Sequence, residues 1–223
     1  MHSAFILATS GSAWIEPATQ YLSDAGLPAQ CVTATEAEAV LAAAVPRVML
    51  APPEIVATPL LQRARRQGAL LVCVGRAQED VSSLCDDVLT DPVTEEALFR
   101  LLARHQYVAI SVSDRAGLAN AIASQTFGDA ALAAELVEAL ATSTESDLDR
   151  LQEEDDSLET WRSVAHRVKA SAHLARCEGF QRLAQRLETV ARGGDVRLTG
   201  ALAEVFVPTA HEFRAMLLAS ACK

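Results

Sequence analysis

The run AHRVKASAHLARC, residues 165–177, gathers two histidines, a lysine and two arginines on one stretch without Gly or Pro. A neutral imidazole, with an ordinary pKa of about 6.5, is a competent nucleophile near neutral pH. A phosphoryl group placed on His166 would bring up to two negative charges, which Lys169, one helical turn on, can offset. Ala170 leaves room for another protein's surface. His166, two residues, Lys169 and a small residue thus form a workable phosphate-accepting face, with Arg162, His173 and Leu174 as candidate docking residues around it. His166, His173 and Cys177 also fall nearly in line at i, i+7 and i+11, and His173 with Cys177 has a spacing that suits two metal ligands. Three turns are too long for one ion to reach all of them, so no metal and no cofactor is expected on this chain.

The element that must carry these residues is a helix over about 158–177. With about 100° per residue, Trp161, Val164, Val168, Ala172 and Ala175 fall within about 80° of arc as one apolar stripe. His166 lies about 160° from its centre, which points the ring to solvent. Asp156 with Glu159 reads as a capping-box-like start. A second amphipathic helix over about 179–192 ends at the glycines of RGGD. Helices over about 114–126, 130–153 and 198–219 complete the second half, the last with Pro208 expected to kink or interrupt it. Helices joined by short turns imply a bundle.

Charge is unevenly distributed. Residues 157–192 hold seven Lys/Arg against three acids, inside a chain of net charge −10, while ESDLDRLQEEDD just before holds seven acids and one arginine. Such neighbours pair across a bundle as well as they bind ligands. The acidic total disfavours general nucleic-acid binding. Five scattered cysteines, without paired spacing, argue against a disulfide framework and for a reducing compartment. No apolar run approaches the roughly 20 residues of a membrane span, and no cationic leader opens the chain, so a cytoplasmic location without membrane insertion is expected. Phosphate-loop and nucleophile-elbow motifs are absent.

The first half alternates short apolar runs (SAFILAT, AQCVTA, PRVMLA, ALLVCVG, DDVLT) with helical patterns, which predicts a five-stranded parallel sheet. RAQEDVSSLC is thin for a full fourth helix. The expected division is residues 1–106, a linker at 107–112, and a helical part over 113–223.

AHRVKASAHLARCEGFQRLAQRLETVARGGDV resembles the active-site hairpin of histidine-containing phosphotransfer domains, a likeness extending over about 113–220. It implies an all-α four-helix bundle, with His166 as phosphoacceptor and Lys169 as supporting cation. Ala170 stands where the family has Gly. The partners implied are receiver domains of response regulators or hybrid histidine kinases, which would bring the aspartyl phosphate and the magnesium. The layout of residues 1–106 resembles a receiver, the flavodoxin-like fold, but without its chemistry. Ala8 and Thr9 replace the metal-holding acids, Ala51 the phosphorylated aspartate, Gly75 the Ser/Thr after the fourth strand, and Asp91 the lysine before proline. This half is expected to serve as a scaffold or docking surface. The competing expectation is a structural adaptor that binds kinases or receivers without accepting phosphate.

Overall fold

The computed structural model describes residues 4–7, 11–76, 83–153 and 157–221. They form two compact units, one ending at Leu101 and one beginning at Leu102, with Asp24–Gly26 grouped with the second.

In the first unit, strands β1 (Ala4–Leu7), β2 (Ala29–Val32), β3 (Val48–Ala51), β4 (Leu70–Val74) and β5 (Asp87–Leu89) form one sheet. All pairings are parallel and the order is β2-β1-β3-β4-β5. The strands connect through helices α1 (Ile15–Asp24), α2 (Ala34–Ala43), α3 (Pro53–Val56) and α4 (Pro59–Arg66), and α5 (Glu95–Arg104) follows β5. Every residue of β1 and β3 is buried, which explains why these strands read as continuous apolar runs rather than alternating ones. Phe5, Met49, Leu71 and Cys73 share one core with Ala37 and Leu41 of α2, Val56 of α3 and Leu61 and Ala64 of α4. The short α3, opened by Pro53 at its first position, is an element the sequence reading did not separate. Ala8, Thr9 and residues 77–82 of the thin fourth-helix stretch lie outside the described residues. Ala51 ends β3 fully buried, and Gly75 follows β4 with φ +128°.

The second unit contains α6 (Val112–Gln125), α7 (Ala130–Glu153), α8 (Leu158–Leu174), α9 (Glu178–Gly193) and α10 (Val196–Ala221). The stretch expected as a linker carries buried Tyr107, Ala109 and Ile110. The Ala109 N–H donates to Thr209 Oγ1 at 3.1 Å, so this segment is part of the unit's core. Ser111 then caps α6, its Oγ accepting from Asp114 N–H at 3.0 Å while Asp114 Oδ2 accepts from Ser111 N–H at 2.7 Å.

α8 and α9 form an antiparallel hairpin, and α10 packs against both α7 and α9. Phe206 of α10 lies 6.5 Å from Trp161 and 5.4 Å from Phe180 between ring centroids, and Phe180 stands 5.4 Å from Phe213. These rings fill the space above the stripe of Val164, Val168, Ala172 and Ala175, each at most 1% exposed.

The cap of α8 is Ser157, whose Oγ accepts from Thr160 N–H at 3.1 Å; Asp156, expected to pair with Glu159, lies outside the described residues, and Glu159 accepts from Arg162 Nε at 2.8 Å. Two local expectations need correction. α8 ends at Leu174 rather than near Cys177, because Arg176 takes φ +52° and the Cys177 N–H closes back on the Ala172 carbonyl at 2.9 Å. α10 runs through Pro208 uninterrupted. Pro208 is exposed while Phe206, Ala210 and Phe213 are fully buried, so the proline ring lies on the outer side of the helix. The predicted glycine end of α9 is present, Gly194 holding φ +84° as its C-cap.

Candidate functional site

The site is built on the outer side of the α8–α9 hairpin. The buried stripe of α8 fixes the rotation of the helix, and the opposite face carries His166 with its side chain 64% exposed. Its Nδ1 lies 3.2 Å from Glu188 Oε1, on α9. The same carboxylate takes Lys169 Nζ on Oε2 at 2.6 Å and Arg192 Nη2 on Oε1 at 2.6 Å. Lys169 Nζ also donates to Gln185 Oε1 at 3.0 Å. His166 and Lys169 are therefore brought together, but through a third residue that the sequence reading missed.

Glu188 is only 4% exposed in its side chain, which is unusual for an acid. Burial pushes its carboxyl up, but the hydrogen bonds and charges of Lys169 and His166 outweigh burial and hold it below its ordinary value. It is thus an anion, acceptor-only, at neutral pH. A neutral His166 ring facing it donates from Nδ1, which fixes the tautomer and leaves the Nε2 lone pair free. Among the described residues, Nε2 has no hydrogen-bond partner. The legible clue to Glu188 was an acid inside an apolar stripe: Ala184, Leu187 and Ala191, at i−4, i−1 and i+3 from it, are all buried.

The other candidates are placed as follows. Arg162 is engaged by Glu159 of its own helix. Ala170 is exposed one turn beyond His166, and Leu174 is half-buried. His173 is exposed, with Nδ1 3.4 Å from Gln181 Oε1, and borders a concavity of about 690 Å³ lined also by Gln125, Arg176 and Arg182. Cys177 does not share a face with His166 and His173. The φ of +52° at Arg176 turns the chain inward, Cys177 is fully buried, and burial pushes its thiol up to about 12. Among the described residues no three His, Cys, Asp or Glu side chains converge as a metal site.

The basic run is less free than its composition suggests. Arg167 donates to Asp147 Oδ1 of α7 at 2.6 Å and to Ser163 Oγ at 2.8 Å, and Arg176 donates to Ser124 Oγ at 3.3 Å. Within α10, Arg214 reaches back to Glu145 of the acidic run. Between the acidic run 145–156 and the basic run 157–192, Arg167 and Asp147 tie α8 to α7, and Glu145 ties the acidic run to α10 through Arg214. No helix among the described residues is long and apolar enough to cross a membrane.

No protein-family model, curated protein or solved structure matches this chain.

Proposed function

We propose that the second unit is a histidine phosphotransfer module of the four-helix-bundle kind, with His166 as its phosphoacceptor. The observation that supports this best is the exposed imidazole whose Nδ1 is held by a buried carboxylate, with Lys169 and Arg192 bound to the same group. A receiver domain would present an aspartyl phosphate with its own magnesium. The His166 Nε2 pair attacks phosphorus in line, the N–P bond forms, and the P–O bond to the aspartate breaks with its electrons staying on the carboxylate. The reverse step delivers the group to another receiver. Such loose transition states need positioning and charge compensation more than covalent chemistry. Lys169 and Arg192 can supply the second as the phosphoryl group arrives.

The first unit is proposed as a receiver-like domain without phosphoacceptor, acting as scaffold or docking surface. Its five parallel strands in the order 2-1-3-4-5 support the flavodoxin-like assignment, and Ala51 at the end of β3 offers no carboxylate.

The test is incubation with phosphorylated receivers and magnesium, and separately with phosphoramidate, a small donor that needs no docking. Acid-labile, base-stable label is expected on the wild type and none on His166→Gln. No label from either source would overturn the proposal and leave the adaptor role.

A further inference from the structure

Resting on the phosphotransfer reading, we infer that Glu188 keeps the proton on His166 Nδ1 through the whole transfer cycle, so that the phosphoryl group always sits on a cationic ring. A neutral imidazole has one N–H and one lone pair. Attack uses the Nε2 pair, so no proton has to leave Nε2 and the ring becomes positive as the N–P bond forms. Its only remaining ring proton is on Nδ1, 3.2 Å from Glu188 Oε1.

Loss of that proton to water would put a second lone pair against a carboxylate oxygen, with no hydrogen between them. The carboxylate is 4% exposed, so water has little access to separate the two acceptors. Retention instead gives a charge-assisted hydrogen bond in a partly dry setting. On return, the N–P bond breaks, its electrons go back to Nε2, and a neutral imidazole leaves with Nδ1–H still in place. A deprotonated phosphohistidine would have to leave as an imidazolate or be protonated first.

The charged neighbours agree with this assignment. From α9 the charged groups at the ring are Glu188 and Arg192, with neutral Gln185 beside Lys169; from α8 Lys169 is bound to the same carboxylate, while Arg162 is paired with Glu159 and acts on Glu188 only through its charge. Asp147 of α7 is occupied by Arg167. Lys169 and Arg192 oppose a cationic ring, but both are bound to Glu188, and the arriving phosphoryl dianion offsets them. Glu188 is thus a positioning residue that acts through His166, touching neither phosphorus nor the partner.

The experiment labels wild type, Glu188→Gln and Glu188→Asp with phosphoramidate and follows release to a receiver between about pH 5.5 and 9. Wild-type release should stay level to about pH 8. Release from Glu188→Gln should fall once the pH passes the pKa of an ordinary imidazole, about 6.5, reaching about thirtyfold slower at pH 8. Glu188→Asp should recover part of the plateau. 15N NMR of the phosphorylated proteins at pH 8 should show Nδ1 protonated in the wild type and not in Glu188→Gln. Identical pH profiles for wild type and a folded Glu188→Gln, by circular dichroism, would overturn the inference while the phosphotransfer reading stands. Failure of phosphoramidate and receivers alike to label His166 would overturn both.

Discussion

Two carboxylates lie buried against α8, Asp147 from α7 and Glu188 from α9, with side chains only 5% and 4% exposed. Their donors differ. Glu188 receives His166, Lys169 and Arg192, and its carboxyl is held below its ordinary value. Asp147 receives Arg167 on Oδ1 while its Oδ2 has no partner, and burial, outweighing the arginine, pushes it up. One buried acid is fully coordinated and borders an exposed imidazole; the other pins two helices together at a cost. Burial of an acid alone therefore marks no site. What distinguishes Glu188 is the convergence of several donors, one of them an imidazole with its other nitrogen free.

The sharpest break of this comparison is at the level of chemistry. His166→Gln should remove all phosphoryl label, whereas Asp147→Asn, altering the other carboxylate, should leave labelling by phosphoramidate within about twofold of wild type. Lys169→Ala comes next. Removing a charge that the transferred group needs should lower kcat/KM for transfer from a phosphorylated receiver by about tenfold to a hundredfold, with Arg192 compensating in part. Initial rates over a receiver concentration series measure it. An unchanged value would take Lys169 out of charge compensation and leave it a tether for Glu188.

A smaller effect should appear in stability, and with opposite signs. Glu188 holds its proton less tightly folded than unfolded, so its contribution is present above the ordinary carboxylate range and is lost as pH falls through the lowered folded value. Glu188→Gln should cost about 1 to 2 kcal/mol at pH 7, and the deficit should close as pH drops below about 4. Asp147 holds its proton more tightly folded, so the stability it contributes declines as pH rises from about 4 through the raised folded value. Asp147→Asn lacks that decline and should gain on the wild type over the same interval. Urea unfolding from pH 3 to 7 measures both differences. Parallel pH trends for the two variants would erase the distinction drawn here.

Local pattern carried much of the architecture. Continuous apolar runs announced β1, β3 and β4, and the stripe through Val164, Val168 and Ala172 oriented α8 well enough to put His166 in water. Gly194 marked the end of α9 because its left-handed backbone is a one-residue property. What stayed hidden depends on register between distant segments. Glu188 meets His166 only once α9 is aligned antiparallel to α8, and Ala109 belongs to the core only because Thr209 comes to meet it. Pro208 misled for a related reason: its effect depends on which side of α10 faces solvent, which the packing of Phe206 and Phe213 decides.

Ala170 offers the mildest test, aimed at the surface rather than the chemistry. It is exposed one turn beyond His166, where a docked partner would approach over Nε2. Ala170→Gly removes one methyl from that approach, and relief of about 0.5 kcal/mol of crowding would raise transfer from a phosphorylated receiver about twofold. The same change weakens α8 by about 1 kcal/mol relative to alanine, so thermal stability should fall while the rate rises. Phosphoramidate separates the causes, since a small donor meets no crowding from a single methyl and should label both proteins equally fast. Equal rates with receivers as well would mean that the partner does not pass over Ala170. A rise with both donors would place the effect in the mobility of α8 around His166 rather than in contact.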